Sequence, residues 1–266
     1  VAACFKVDPG VVWRIWRNID KASVVRPVVN GDRITLYGES FKPLPARLAI
    51  TPALAELAGL YIAEGHADHK ITFSFGTHEP DLIRECCTLI TETLGEPSTV
   101  NRHGSVTTVT VSHTLWAWIF RRWFGHEAPN KRMPSWLETL PFSSFKHVLR
   151  GWVKGDGGDH VGRVYGVTTS PMLGLQFLLG LGRAGLFPSL IRVSDKAGGN
   201  INGRAIVQRH PAYQLNIGAE ALAELAPFLG ATPTGKRSPW PLPAFDAREM
   251  RPPIRRILRH NYRGRV

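Results

Sequence analysis

Leu57-Ala58-Gly59-Leu60-Tyr61-Ile62-Ala63-Glu64-Gly65 and Leu149-Arg150-Gly151-Trp152-Val153-Lys154-Gly155-Asp156-Gly157 state one pattern twice. Aligned, they set Gly59 over Gly151, Ala63 over Gly155, Glu64 over Asp156 and Gly65 over Gly157. Small residues four apart fall on one face of a helix, so two such helices can approach backbone to backbone. Each stretch ends in a carboxylate and then a glycine, the residue suited to a left-handed helix-ending conformation. A carboxylate in a last turn meets the negative end of the macrodipole, at a cost of roughly 0.3–1 kcal/mol. Packing through the small residues also brings two acids together. At about 5 Å and an effective dielectric of about 20, their repulsion is on the order of 3 kcal/mol. A cation bound between the acids would offset both costs.

Working outward, Thr51-Pro52 supplies a cap and a first-turn proline for the first of these helices, and Ser143 can cap the second. After Gly65, Ile71–Phe75 alternates apolar and polar as a half-buried strand, and a helix over Thr77–Leu94 ends at Gly95. Val106–Val111 alternates again, and His113–Phe124 reads as a helix ending at Gly125. The second half replays this order: a strand at Arg163–Val167, a helix over Pro171–Ala184, and strands at Leu190–Val193, Arg204–Val207 and Tyr213–Ile217. A final helix spans Glu220–Leu229. Thr77 pairs with Thr168, Pro80 with Pro171, Leu82 with Leu173 and Gly125 with Gly230, and the Gly- and Asn-rich Lys196–Asn202 is an insertion in the second half alone.

The fold expected is therefore α+β: two pseudo-symmetric αββαββα repeats joined through the motif helices, with their sheets side by side as one concave saddle. The first repeat is assigned to residues 51–142 and the second to 143–243. Residues 1–50 read as an appendage, a helix with Val12, Ile15, Trp16 and Ile19 on one face and then a hairpin around Asn30-Gly31. Residues 244–266 form a basic tail, either solvated or in contact with phosphate.

Charge limits the partners. Against 21 Asp and Glu stand 33 Lys and Arg, a net +12, which favours a polyanion, nucleic acid ahead of a membrane surface. Arginine predominates, which suits bidentate contacts to phosphate and guanine. No run of 18 apolar residues offers a membrane span. The start at Val1 shows no basic-then-apolar secretory signal, and the missing initiator Met leads to the expectation of a trimmed or excised segment. Cys4, Cys86 and Cys87 have no metal-ligand spacing, which fits a reducing, intracellular and cytoplasmic setting, at the nucleoid in a bacterium.

The paired stretches resemble the motifs of the LAGLIDADG homing endonucleases in their single-chain, two-motif form, and the resemblance runs over roughly residues 50–240. It implies a monomeric enzyme that cuts both strands of a long double-stranded DNA target, leaving short 3′ overhangs. It also implies Mg2+ or Mn2+ at Glu64 and Asp156, with Ala63 and Gly155 beside them in the metal site. Hard carboxylate ligands suit such ions, and phosphodiester hydrolysis needs the activated water and leaving-group stabilisation that they supply. Asn130-Lys131-Arg132-Met133-Pro134 recurs as Gly235-Lys236-Arg237-Ser238-Pro239, each lysine six residues after a helix-ending glycine. A lysine there can polarise water or stabilise a pentavalent transition state. In intein-borne members of the family, a lysine in this setting belongs to the active site, which makes Lys131 and Lys236 catalytic candidates. Outward positions of the saddle strands supply Lys70, Thr72, Ser74, Arg102, Arg163, Arg192, Arg204 and Gln208 for base edges, phosphate or solvent. Two other functions fit the same fold: a DNA-binding regulator that does not cut, and an RNA splicing maturase. A regulator of this kind typically lacks the acids, and this chain keeps both.

Overall fold

In a computed structural model, the residues described are 27–36, 42–159, 164–193, 200–201, 204–205, 210–218, 225, 228–229, 245–246 and 249–250. The expected N-terminal helix, the Lys196–Gly199 part of the insertion, most of the last helix and the basic helix of the tail fall outside them. A hairpin of β1 (Pro27–Asn30) and β2 (Arg33–Leu36) turns at Gly31, where φ is +61°, and β3 (Leu44–Pro45) pairs with β2. Next come α1 (Pro52–Glu64), β4 (Gly65–Ala67), β5 (Ile71–Gly76), α2 (Pro80–Leu94), β6 (Thr99–His103), β7 (Val106–Val111) and α3 (Thr114–Phe124). A 3-10 turn (Ala128–Asn130) and the single-turn α4 (Ser135–Glu138) lead into α5 (Phe142–Asp156). Then follow β8 (Gly157–Asp159), β9 (Val164–Thr168), α6 (Pro171–Arg183), β10 (Ser189–Val193), β11 (Asn200–Ile201), β12 (Arg204–Ala205) and β13 (Ala212–Ile217). A short pair, β14 (Phe245–Asp246) and β15 (Glu249–Met250), lies further along.

Two four-stranded antiparallel sheets carry the architecture, in the orders β4-β5-β7-β6 and β10-β13-β9-β8. Each begins directly from the end of a motif helix. In α1, every residue from Leu54 to Ile62 is buried, as expected of a helix that is apolar nearly all round and lies at the centre of the molecule. Thr51 caps it, its hydroxyl accepting from the Leu54 N–H at 3.1 Å, with Pro52 in the first turn. Helix α5 is amphipathic and buries Phe145, Val148, Leu149, Gly151 and Trp152. Its cap departs from expectation: Pro141 stands at the N-cap with no side-chain hydrogen bond, and Ser143 lies inside the first turn.

The seam between α1 and α5 is a backbone contact. A Cβ added at Gly59 would lie 2.0 Å from the Val148 carbonyl oxygen, and one at Gly151 would lie 2.1 Å from that of Glu56. The two halves are thus zipped at the main chain, as the small-residue spacing predicts. The glycines that follow differ from the reading above. Gly65 (φ −91°, ψ 150°) and Gly157 (φ −118°, ψ −174°) are extended, because each helix runs straight into a strand instead of turning back. They are glycines for want of space. A Cβ at Gly65 would meet the Tyr61 ring at 2.2 Å, and one at Gly157 would meet the Val153 carbonyl oxygen at 2.5 Å.

The core fills the space between each sheet and its helices. Tyr61 meets Phe73 and Phe120 edge-on at 5.9 and 4.9 Å, and Trp152 stacks on Phe177 at 4.1 Å. A cleft of about 360 Å3 between the N-terminal strands and α3 is lined by Ile34, Leu48, Trp116, Trp118, Trp123 and Trp136. No helix among the described residues is long and apolar enough to cross a membrane.

Candidate active site at the helix seam

The site forms where α1 and α5 end together. A Cβ added at Gly155 would lie 2.5 Å from Cβ of Ala63 and 2.9 Å from Cγ of Glu64, so the last turns touch. Glu64 is half-buried, and its carboxyl is raised above the usual range by burial and then by the nearby Glu79 carboxylate, with Lys131 opposing. Asp156, the last residue of α5, keeps an exposed surface although its carboxyl end lies against the seam. Burial and then the Glu64 charge push it up to about 7, against the pull of Lys131. Burial is thus the larger cause for both acids, and the Glu64 charge adds to it at Asp156.

Lys131 stands against the same helix end. Its side chain is buried, and the ammonium donates to the carbonyl oxygens of Ile62 at 2.7 Å, Tyr61 at 3.1 Å and Ala63 at 3.3 Å. The Ile62 and Ala63 carbonyls are ones that a helix leaves without intrahelical partners at its C-terminus, where the macrodipole is negative, and that of Tyr61 also accepts from the Gly65 N–H. Helix α1 has no basic residue in its own last turn, so this cation arrives from 70 residues away in sequence. Burial lowers the ammonium to about 8, and the attraction of Asp156 and Glu64 resists that fall.

Local structure brings Lys131 there. Gly125 ends α3 at φ +84°, and a Cβ on it would lie 2.3 Å from the Asn130 carbonyl oxygen, so the chain can fold back only over glycine. The Arg132 N–H then donates to the Phe124 carbonyl at 2.9 Å, closing the loop. From the second half, the buried Ser170 hydroxyl donates to the Lys131 carbonyl at 2.6 Å. Gln176 accepts from the Met133 N–H at 2.8 Å and donates to the Met133 carbonyl at 3.0 Å and to Glu138 at 2.7 Å. Neither Ser170 nor Gln176 was singled out in the sequence, although Gln176 occupies the repeat position of Glu85.

The structure thus gathers Glu64, Asp156 and Lys131, along with Ala63 and Gly155. Lys236, Arg163 and Gln208 lie outside the described residues, and of Arg204 only its place in β12 is described. Strand register corrects part of the saddle assignment. Thr72 pairs with Thr110 and His66, and Ser74 with Thr108, all on the face opposite Ile71, Phe73 and Phe75. Asn101 and Thr99 continue that polar face onto β6. Thr72 is itself buried, its neighbours on both sides covering a small residue in an inner strand. Arg102 pairs with Thr107, itself opposite Phe75, and so belongs to the other face. Arg192 likewise pairs with Tyr213 and shares the face of the buried Leu215. Each arginine is on an edge strand, where a side chain on the helix-side face still reaches solvent. Lys70 is exposed at the turn before β5.

Among the described residues, no three His, Cys, Asp or Glu side chains gather as a self-sufficient metal site. Two carboxylates with raised proton affinity at one helix seam nevertheless fit a hard divalent ion, which takes carboxylates together with water and phosphate oxygens. Its charge would relieve the repulsion between them.

These features define a two-repeat protein of LAGLIDADG fold. A doubly substituted variant of the homing endonuclease I-DmoI, bound to its nicked target DNA with manganese present, superposes with a TM-score of 0.51 at 11% identity, over 68% of this chain and 97% of that one. The N-terminal LAGLIDADG domain of DUF199/WhiA matches with a TM-score of 0.47 at 13% identity, over 69% of this chain and 85% of that one. In sequence, iron–sulfur cluster assembly SufBD family proteins of Mycobacterium bovis and Mycobacterium tuberculosis are 28% identical over 188 residues, 65% of this chain. The match spans only 22% of those proteins' length. No protein-family model matches the chain.

Proposed function

We propose that this chain is a magnesium- or manganese-dependent DNA endonuclease that cuts both strands of a long target, leaving short 3′ overhangs. The observation that carries the reading is the meeting of Glu64, Asp156 and a buried Lys131 at the ends of two helices packed main chain to main chain. A metal held by the two carboxylates would supply a water of lowered pKa and charge stabilisation on the leaving oxygen. The chain's own residues have distinct parts. Glu64 and Asp156 hold negative charge at the seam, where only a cation balances it. Lys131 fixes the end of α1 and presents a positive charge beside both acids, suited to the charge that grows on phosphate in the transition state. The exposed His66, Thr99 and Asn101 and the half-buried Ser74 and Thr108 on the polar face of β4–β7 offer donors and acceptors to base edges or phosphates, and the net charge of +12 draws the duplex in.

The partial match inside much longer proteins named for a different activity supports an endonuclease carried within a host protein, as inteins carry them.

The test uses the full chain with magnesium and a random duplex library, from which cleaved sites are selected. Sites recovered from the native protein and none from Asp156→Asn, which still binds the same duplex, are the expected result. Duplex binding without cleavage would instead favour a regulator, and retained cutting by Asp156→Asn would remove the metal assignment.

A further inference from the structure

We infer that Ser170 and Gln176 are positioning residues that hold the Lys131 amine on the end of α1. The effect on rate rests on the endonuclease reading, whereas the positioning itself rests on geometry alone. Lys131 has a long, freely rotating side chain whose ammonium faces three carbonyls of the first repeat. Rotation about that chain is checked only if the backbone beneath it is fixed. That backbone, at residues 131–133, is held by the second repeat. Ser170 is fully buried, and its hydroxyl is used twice: it accepts from the Leu173 N–H at 3.2 Å, capping α6, and donates to the Lys131 carbonyl at 2.6 Å. Gln176, two turns further along α6, commits its whole amide. One acceptor and two donors are satisfied by Met133 N–H, Met133 carbonyl and the Glu138 carboxylate.

A glutamine presented this way imitates a neighbouring β-strand: it takes both main-chain groups of one residue and fixes the segment against sliding in either direction. Met133 beyond it is buried and anchors the loop from the other side. Helix α6 therefore sets where Lys131 begins, and the α1 carbonyls set where it ends. The lysine belongs to the first repeat in sequence and depends on both repeats for its place. Glu85, at the corresponding position of α2, makes no such contact and instead bonds Lys154.

Three variants of the full chain test this: Gln176→Met, which keeps volume and removes every polar contact; Ser170→Ala; and Ser170→Thr, which keeps the hydroxyl and the cap. First, the DNA-free protein is treated with a small amine-acylating ester, and modification at Lys131 and Lys154 is followed by mass spectrometry. Loosening the clamp should raise the Lys131 rate relative to Lys154 roughly tenfold in Gln176→Met and Ser170→Ala, and leave it unchanged in Ser170→Thr. Equal acceleration at both lysines would mean general loosening and would overturn the proposal, as would no change at either.

Second, single-turnover cleavage of a duplex selected by the native enzyme is measured with magnesium. Gln176→Met should slow cutting about tenfold at unchanged duplex affinity. In a Lys131→Met background the same change should add nothing, because positioning has no lysine left to act through. Multiplying losses would overturn a role exerted through Lys131. If Lys131→Met alone cuts at the native rate, the catalytic reading of that lysine fails while the acylation result still decides the clamp.

Discussion

Glu85 and Gln176 stand at matching places in the two repeats, in register with Pro80 and Pro171, and they do opposite things. Glu85 joins a charged cluster across the seam, where Lys154 bridges it to the buried Glu56, and Arg150 lies 3.2 Å from Glu56 and 3.8 Å from Glu85. Gln176 grips the backbone of the connecting segment with no charge of its own. At the motif helices the contrast repeats: the repeat partners of Glu56 and Lys154 are Val148 and Ile62, both buried apolar residues. Two nearly equivalent surfaces have thus been fastened once with ions and once with neutral hydrogen bonds and hydrocarbon. From the second repeat, the connecting segment is held by its main chain, at Lys131 and Met133, and that side requires a recogniser of main chain. The other side is free to use charge. Burial lifts the Glu56 carboxyl above its usual range, while Lys154 and then Arg150 draw it down, so the cluster trades desolvation against pairing.

The largest effect should come from closing the seam itself. Gly151→Ala places a methyl group against the Glu56 carbonyl and the Leu60 N–H, which are both backbone, and should cost about 3 kcal/mol or more or prevent folding. Gly155→Ala meets side chains of Ala63 and Glu64, one of them flexible, so its loss in urea unfolding should be clearly smaller. Equal losses would mean that the main-chain contact is not what joins the halves.

Next in size is the charged cluster. Lys154→Met leaves Glu56 buried with Arg150 alone, and a loss of about 1–3 kcal/mol in unfolding free energy is expected. Giving this side the residues of the other, Glu56→Val with Lys154→Ile, should recover most of that loss or exceed the native stability. A double variant as weak as Lys154→Met would show that the ions contribute more than their hydrocarbon counterparts.

The smallest and most informative effect concerns pH. The folded carboxyl of Asp156 sits near 7, above its unfolded value of about 3.9, so protons favour the folded state there. Stability of the metal-free protein should be highest below about pH 4 as far as this group is concerned, and should fall as pH rises from about 4 to 7. Lys131 acts in another window: its folded value of about 8 lies below the ordinary 10.5, so stability should rise with pH between those values. Asp156→Asn should flatten the first slope and leave the second, as followed by melting temperature across pH without divalent ions. An unchanged lower slope would mean that burial, with the Glu64 charge second, does not hold the Asp156 carboxyl up in the folded state.

Much of this architecture is legible in the residues, because its causes are local. Thr51-Pro52 starts a helix by satisfying orphan N–H groups, Gly95 and Gly125 end helices at positive φ, and the alternation Val106–Val111 is the observed strand to the residue. Glu64, Asp156 and Lys131 could be grouped because repeat spacing gives long-range information that a single motif lacks. Facing was harder. Arg102 and Arg192 sit on edge strands, where both faces meet water and composition carries no parity; a register shift of one residue reverses the side chain. Thr72 looks like a surface threonine, and only the strands on either side of β5 bury it. Gln176 in a helix reads as a solvent-facing residue until the segment that it grips is folded against it. The extended form of Gly65 and Gly157 follows from strands that begin without an intervening loop, which no glycine announces by itself.

The fold-back at Gly125 bears on what can be exchanged between such proteins. A chimaera made by cutting between the repeats would carry Lys131 with the first partner and its Ser170 and Gln176 holders with the second. The junction that looks most neutral in sequence therefore separates a tool from its grip. A workable exchange would move residues 125–138 together with α6 or not at all, and swapped halves that ignore this would still assemble through their glycine seams, well folded and slow.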